Sequence, residues 1–241
     1  RFQLDGEVIL MVDGKQVAEK VYVKNPTNLY TLQAKAGKEY HIEILFKQRN
    51  ERATLDFDLG KQVEINLNLA VEKVKDADIV LFAGGISPSL EGEEMPVEVP
   101  GFKGGDRTDI ELPAVQRDLL KALKKAGKKV VFINYSGSAI GLVPESNTCE
   151  AILQAWYPGQ AGGTAIVDVL FGDYNPAGRL PVTFYKNAGQ LPDFEDYSMK
   201  GRTYRYMQQE PLFPFGHGLS YTDFTYGEAK LSKNTIAKGE N

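Results

Sequence analysis

Cysteine and histidine are nearly missing from this sequence, and their scarcity removes several kinds of chemistry at once. Cys149 is the single cysteine in 241 residues, so no disulfide can form within the chain and cysteine usage carries no sign of compartment. Only His41 and His217 stand beside it, too few for a Cys/His cluster, and the D-x-D-x-D-G spacing of a calcium loop is also missing. No metal and no cofactor is expected. Runs of basic residues are lacking and the net charge is −4, which argues against nucleic acid or an anionic membrane as partner. No apolar run is long enough to span a bilayer, and no signal peptide opens the chain. An initiating methionine is missing too: Arg1 leads straight into strand-like sequence, as expected of a piece of a longer protein.

What is present is ordinary globular material, 42% hydrophobic and 25% charged, enough for one large or two small domains. Residues 1–60 read as β. Strands are predicted at 7–12 and 16–23 around Asp13-Gly14, a strong hairpin signal, and again at 29–32, 39–46 and 53–59. His41 is expected on the sheet surface. From residue 62 the period changes. Helices are predicted at 62–75, at 113–126 with Pro113 in its first turn and Gly127 after its end, and at 159–170 with Ala161, Ala165, Ile166 and Val169 inward. Strands are predicted at 79–83, 130–133 and 151–156, and the unbroken apolar run of the second suits a parallel strand covered on both faces. This alternation predicts an α/β fold: a mostly parallel-sheet α/β sandwich domain preceded by a small antiparallel β segment. Beyond residue 171 the chain is punctuated by Gly and Pro, with a short strand predicted at 179–184 and the first strand of another β domain from 222.

Between the strand at 79–83 and the helix at 113 lies the acidic stretch 87–109, with three prolines, four glutamates and no usable periodicity. A connection that long is usually functional when ordered. Glu91, Glu93 and Glu94 sit beside apolar Leu90 and Met95, where partial burial offers a route to a general acid; the alternative is a solvated acidic loop. Gly84-Gly85 follows a strand, but no G-x-G-x-x-G is completed, which argues against a nucleotide site. Ser136 and Ser138 stand where a nucleophile elbow would, yet G-x-S-x-G is missing and histidines are scarce, so a serine hydrolase is not expected. The N-Y-S sequon at Asn134 falls on a buried strand end and is discounted. Trp156 reads as a strand end before a turn, or as a sugar-stacking platform.

Later motifs narrow these options. Q-A-W-Y-P-G-Q-A-G-G (154–163), D-V-L-F-G-D (168–173) and N-P-A-G-R-L-P-V-T-F (175–184) together closely resemble the signature of family 3 glycoside hydrolases. G-R-T-Y-R-Y (201–206), F-G-H-G-L-S-Y-T (215–222), and Gly105-Asp106-Arg107 with Leu112, Pro113 and Gln116 resemble further segments of that family, in the same order.

The resemblance implies residues 61–221 as the family's C-terminal α/β sandwich domain, residues 1–60 as part of an inserted protective-antigen-like β-sandwich, and residues 222–241 as the start of a fibronectin type III-like domain. It implies a retaining β-glycosidase acting on oligosaccharides or aryl glycosides, β-xyloside first and β-glucoside second, in the periplasm or outside the cell. The nucleophile would belong to a (β/α)8 barrel of the same polypeptide that this chain does not include. The acid/base glutamate would come from the acidic stretch. Sliding the family's E-x-E-G-x-D-R pattern across it puts Glu93 first, Glu91 second and Glu94 third, with an insertion of about ten residues before Asp106 and Arg107, read as an ion pair anchoring the loop's return. Rival readings are a non-catalytic carbohydrate-binding or scaffolding module and a nucleotide-binding flavodoxin-like domain.

Overall fold

The computed structural model describes residues 2–49, 54–61, 63–95 and 97–239. They fall into two compact units, one ending at Ile65 and the other starting at Asn66.

In the first unit β1 (Phe2–Val12) and β2 (Lys15–Thr27) form an antiparallel hairpin. Asp13 (φ 50°) and Gly14 (φ 74°) both take the left-handed conformation that a two-residue turn of this twist requires. Asp13 also holds the 36–41 turn. Its Oδ1 accepts from the His41 N–H at 2.9 Å and its Oδ2 from Lys38 Nζ at 2.8 Å. The other edge of β1 is shared by β3 (Ile42–Lys47), against residues 7–12, and β4 (Thr54–Phe57), against residues 2–5. Both edges of β1 are thereby filled, and the strand predicted at 29–32 does not form. Of the predicted strand 53–59, residue 53 lies outside the described residues. Leu4, Val8, Leu10 and Val23 make the core. His41 is on the surface, 2.8 Å from Glu43.

The second unit is an α/β layer built on a parallel sheet. Asn66 caps α1 (Leu67–Lys73), its Oδ1 accepting from the Leu69 N–H at 3.1 Å, so the helix begins later than the apolar periodicity from residue 62 predicts. Next come β5 (Ile79–Gly85), α2 (Pro88–Glu91), and three two-residue strands, β6 (Glu98–Val99), β7 (Phe102–Lys103) and β8 (Asp106–Arg107). These three form an antiparallel meander that buries Phe102. The stretch without periodicity is thus folded. Its strands are too short to show a repeat.

Helix α3 (Ala114–Lys125) starts after Pro113 and stops at Gly127, whose φ of 75° allows the Lys128 N–H to reach the Leu123 carbonyl at 3.0 Å. Strand β9 (Lys129–Tyr135) is central, with β5 on one side and β10 (Ala151–Gln154) on the other, all parallel. Val130 and Phe132 are fully buried beneath α1 and α3, and Ile133 on the opposite face is also buried. Edge strand β5 differs, because Ile79 and Leu81 keep 55% and 51% of their exposure. A one-and-a-half-turn helix, α4 (Val143–Thr148), links β9 to β10 and was not predicted.

Helix α5 (Gly162–Phe171) follows β10; Ile166 and Val169 are half-buried, whereas Ala161 and Ala165 are exposed. The strand predicted at 179–184 is reduced to a bridge between Phe184 and Phe213, since Pro181 offers no N–H to a ladder. A single turn, α6 (Thr203–Tyr206), completes the elements. No strand forms in residues 222–239.

One buried ion pair ties α3 to α4. Glu145 is 1% exposed and accepts from Arg117 Nε at 2.7 Å and Nη2 at 3.0 Å, while Arg117 Nη1 reaches Glu111 at 2.7 Å. Burial works to lower the Arg117 pKa, and the bonds from Glu145 and then Glu111 outweigh it, so the pKa is raised. Glu145→Ala leaves the guanidinium without its buried partner and is expected to cost about 3–5 kcal/mol, read by urea denaturation. Glu111→Ala should cost less, since Glu111 keeps 32% side-chain exposure.

Candidate functional site

The carboxyl ends of all three parallel strands meet at one place, the usual location of a binding site in an open α/β sheet. Gly85 ends β5 with φ 126°, and a Cβ there would lie 1.9 Å from the Tyr135 carbonyl oxygen of β9. Gln116 grips the same residue from α3, its Oε1 accepting from the Gly85 N–H and its Nε2 donating to the Gly85 carbonyl, both at 2.7 Å. The glycine pair therefore serves close packing of strand ends. The Ile86 N–H donates to the Tyr135 carbonyl at 2.7 Å, and Ser87 then caps α2 by accepting from the Leu90 N–H at 3.2 Å. Gly92 closes that turn in the left-handed conformation, φ 65°, which leaves Glu91 as the last helical residue.

From β10 the chain enters a turn through Trp156, whose φ of 56° is strained for a residue with a Cβ. Its ring packs edge-on to Phe184 at 6.1 Å and against the core. The next residue, Tyr157, donates its phenol proton to Glu91 Oε2 at 3.0 Å. Gly137, just past the end of β9, lies against the Tyr157 ring. Burial, then the bond to Glu91, pushes the phenol pKa up. Between Tyr157, Gln116 and the strand ends lies a cavity of about 370 Å³. A larger one, about 560 Å³, lies between Arg107 and Asp109 and the segment carrying Phe194, Tyr197 and Arg202; no glutamate lines either cavity.

The three candidate glutamates separate clearly. Glu91 is half-buried and bonded to Tyr157; Glu93 and Glu94 are exposed on the following turn. That turn rests on the meander, because a Cβ on Gly105 would lie 2.5 Å from the Glu94 nitrogen. Arg107 anchors the loop's return, though by other partners than the ion pair expected with Asp106. Its Nη1 donates to Ser138 Oγ at 3.2 Å and toward the Ala139 carbonyl at 3.4 Å, and its guanidinium lies over the Phe102 ring at 5.8 Å. Asp106 is exposed and pairs through its backbone with Lys103. Burial lowers the Arg107 pKa, opposed by the charges of Asp109, Glu91, Tyr157 and Glu111.

Ser136 is buried in an amide network. Gln154 Nε2 donates to Ser136 Oγ at 3.0 Å, and Asn134 Nδ2 donates to Gln154 Oε1 at 2.6 Å. His217 stacks on Phe213 at 4.8 Å. Tyr157, Gln116 and Gly137 escaped the sequence reading of the site. Tyr157 adjoins Trp156 in a turn already singled out, but nothing local to it indicates a carboxylate partner 66 residues away.

Comparison with known proteins adds the following. A model of the glycosyl hydrolase family 3 C-terminal domain matches residues 8–221. A xylan 1,4-beta-xylosidase of Xylanibacter ruminicola is 56% identical over 232 residues, 95% of this chain and 27% of that protein. A periplasmic beta-glucosidase of Salmonella typhimurium is 40% identical over 181 residues, 70% of this chain and 22% of that protein. The chain thus spans about a quarter of the length of these relatives. Among solved structures, a β-glucosidase from Erythrobacter marinus matches with TM-score 0.54 and 41% identity, covering 67% of this chain and 21% of that one. A GH3 exo-beta-xylosidase bound to a xylobiose aziridine probe matches with TM-score 0.54 and 31% identity, covering 65% of this chain and 20% of that one.

Cys149 remains as a potential nucleophile, and its environment disfavours the thiolate. Burial, followed by the charge of Glu145, pushes the thiol up from its ordinary 9.0 to about 11. About a hundredfold less thiolate is then present at pH 8 than in a free cysteine. Modification by a disulfide reagent should be correspondingly slow at pH 8 and quicken as pH rises toward 11, with urea-unfolded chain reacting at the ordinary rate.

Proposed function

Because the chain belongs to glycosyl hydrolase family 3, as a piece that carries the C-terminal domain, we propose that it is the acid/base half of a retaining β-glycosidase. The substrates are terminal β-linked sugars of oligosaccharides and aryl glycosides. Xylosides are preferred over glucosides, in keeping with the 56% identity to a xylan 1,4-beta-xylosidase against 40% to a beta-glucosidase. The nucleophilic carboxylate belongs to a (β/α)8 barrel of the same polypeptide, outside this chain. Residues 1–60 are part of an inserted β-sandwich, residues 61–221 the α/β domain, and residues 222–241 the start of a fibronectin-like domain. The protein works in the periplasm or outside the cell. A periplasmic relative supports this.

The observation that carries the reading is the Glu91–Tyr157 bond at the carboxyl edge of the sheet. A general acid needs partial desolvation and a fixed orientation, and among Glu91, Glu93 and Glu94 only Glu91 is half-buried. The acid/base is therefore Glu91, in preference to Glu93, which pattern alignment puts first. Glu91 protonates the glycosidic oxygen as the barrel carboxylate attacks the anomeric carbon. It then takes a proton from the water that hydrolyses the glycosyl-enzyme, with the two carboxyls about 5–5.5 Å apart. Trp156 borders the substrate through Tyr157, and its own ring serves mainly to fix the turn.

In the full-length parent, Glu91→Gln should lower kcat/KM on unactivated xylobiose by about 10²–10⁴-fold. It should lower kcat/KM far less on a dinitrophenyl xyloside, whose leaving group needs no proton, and azide should speed turnover of the latter. Full activity in Glu91→Gln with collapse in Glu93→Gln would move the role to Glu93. A full-length parent that hydrolysed neither xylosides nor glucosides would favour a non-catalytic carbohydrate-binding module.

A further inference from the structure

We propose that Tyr157 is the positioning residue for Glu91: its phenol, whose ring is packed against Gly137, occupies Glu91 Oε2 and so keeps the transferable proton on Oε1. This rests on the reading of Glu91 as the acid/base.

A phenol has one proton to donate and can accept in return. Here the donor capacity is used, the O–H going out to Glu91 at 3.0 Å. Burial and the neighbouring carboxylate both raise the phenol's pKa, so it remains a donor throughout the pH range in which a glycosidase works. An oxygen already accepting that proton is the poorer place for Glu91's own, which leaves Oε1 to carry it. When Oε1 hands its proton to the departing glycosidic oxygen, negative charge appears on the carboxylate. Oε2 is by then already supplied with a donor. No oxidant or further reactant enters the step, since one O–H bond breaks at Oε1 and one forms at the leaving oxygen.

Two features besides the hydrogen bond fit this role. A Cβ on Gly137 would lie 2.6 Å from Tyr157 Cε2 and 3.4 Å from Glu91 Oε2, so only glycine lets the ring, the carboxylate and the β9 end come together. Trp156, immediately before, holds a left-handed backbone while its ring is locked against Phe184. Strain of that sort persists where surrounding packing over-determines it, and here it aims the following side chain at Glu91.

The test is Tyr157→Phe in the full-length parent, beside Glu91→Gln. Loss of a hydrogen bond to a carboxylate should lower kcat/KM on xylobiose by about tenfold to a hundredfold, and by much less on dinitrophenyl xyloside. Gly137→Ala, which displaces the ring without removing the hydroxyl, should reproduce the leaving-group dependence and serves if Tyr157→Phe does not fold. Equal losses on both substrates would reduce Tyr157 to a packing residue and overturn the proposal. Leaving-group dependence in Glu91→Gln but in neither other variant would also overturn it, with the acid/base reading intact. Its absence from Glu91→Gln would instead remove the reading on which the proposal stands.

Discussion

Contact between the ends of two parallel strands governs this α/β unit. Gly85 of β5 lies so close to the Tyr135 carbonyl of β9 that no side chain fits between them, and Gln116 satisfies both backbone polar groups of Gly85. Buried peptide groups need partners, and here a single amide side chain provides two. The contact fixes where β5 stops and hence where Ser87 starts its one-turn helix. Glu91 follows from that as a matter of chain length. Had the strand ends splayed by a residue's width, the carboxyl would miss the phenol arriving from β10.

The acidic stretch after Glu91 is held at its far end by different forces. Phe102 enters the core, and Arg107 binds the Ser138 and Ala139 region beyond β9, so both ends of the excursion return to the carboxyl edge of the sheet. Farther along, Arg117 and buried Glu145 lock α3 against α4 on the face that α1 and α3 cover. Such a pair contributes little net stability over an apolar substitute, yet its geometry is demanding, and it sets the register of α3 from which Gln116 reaches Gly85. One network holds the helix, and the helix holds the strand end.

Sequence alone showed the parts of this fold that local chemistry decides. Asp13-Gly14 specified a hairpin, Pro113 and Gly127 bracketed a helix within a residue or so of its true limits, and the apolar run of β9 marked a buried parallel strand. It missed what local chemistry leaves undecided. Helix α4 has six residues, too few for a 3.6-residue period to declare itself, and the meander strands have two each. Pro181 broke a ladder that the flanking apolar residues suggested, and residues 29–32 had the composition of a strand but no free edge of β1 to pair with.

The glutamate assignment shows the same divide at the level of single atoms. Glu91, Glu93 and Glu94 are equally acidic and share their neighbours in sequence, so pattern matching can only slide a template over them. What distinguishes them is helix geometry and distant pairing. Glu91 closes a helical turn, and Gly92 reverses the backbone immediately after it, sending Glu93 and Glu94 into solvent. The partner that selects Glu91 arrives from the end of another strand, brought alongside by the parallel order of β5, β9 and β10. A solvated carboxylate is free to rotate. One gripped at a single oxygen by a neutral donor keeps a defined orientation and leaves its other oxygen for chemistry. On that physical difference, more than on any motif, rests the choice of Glu91.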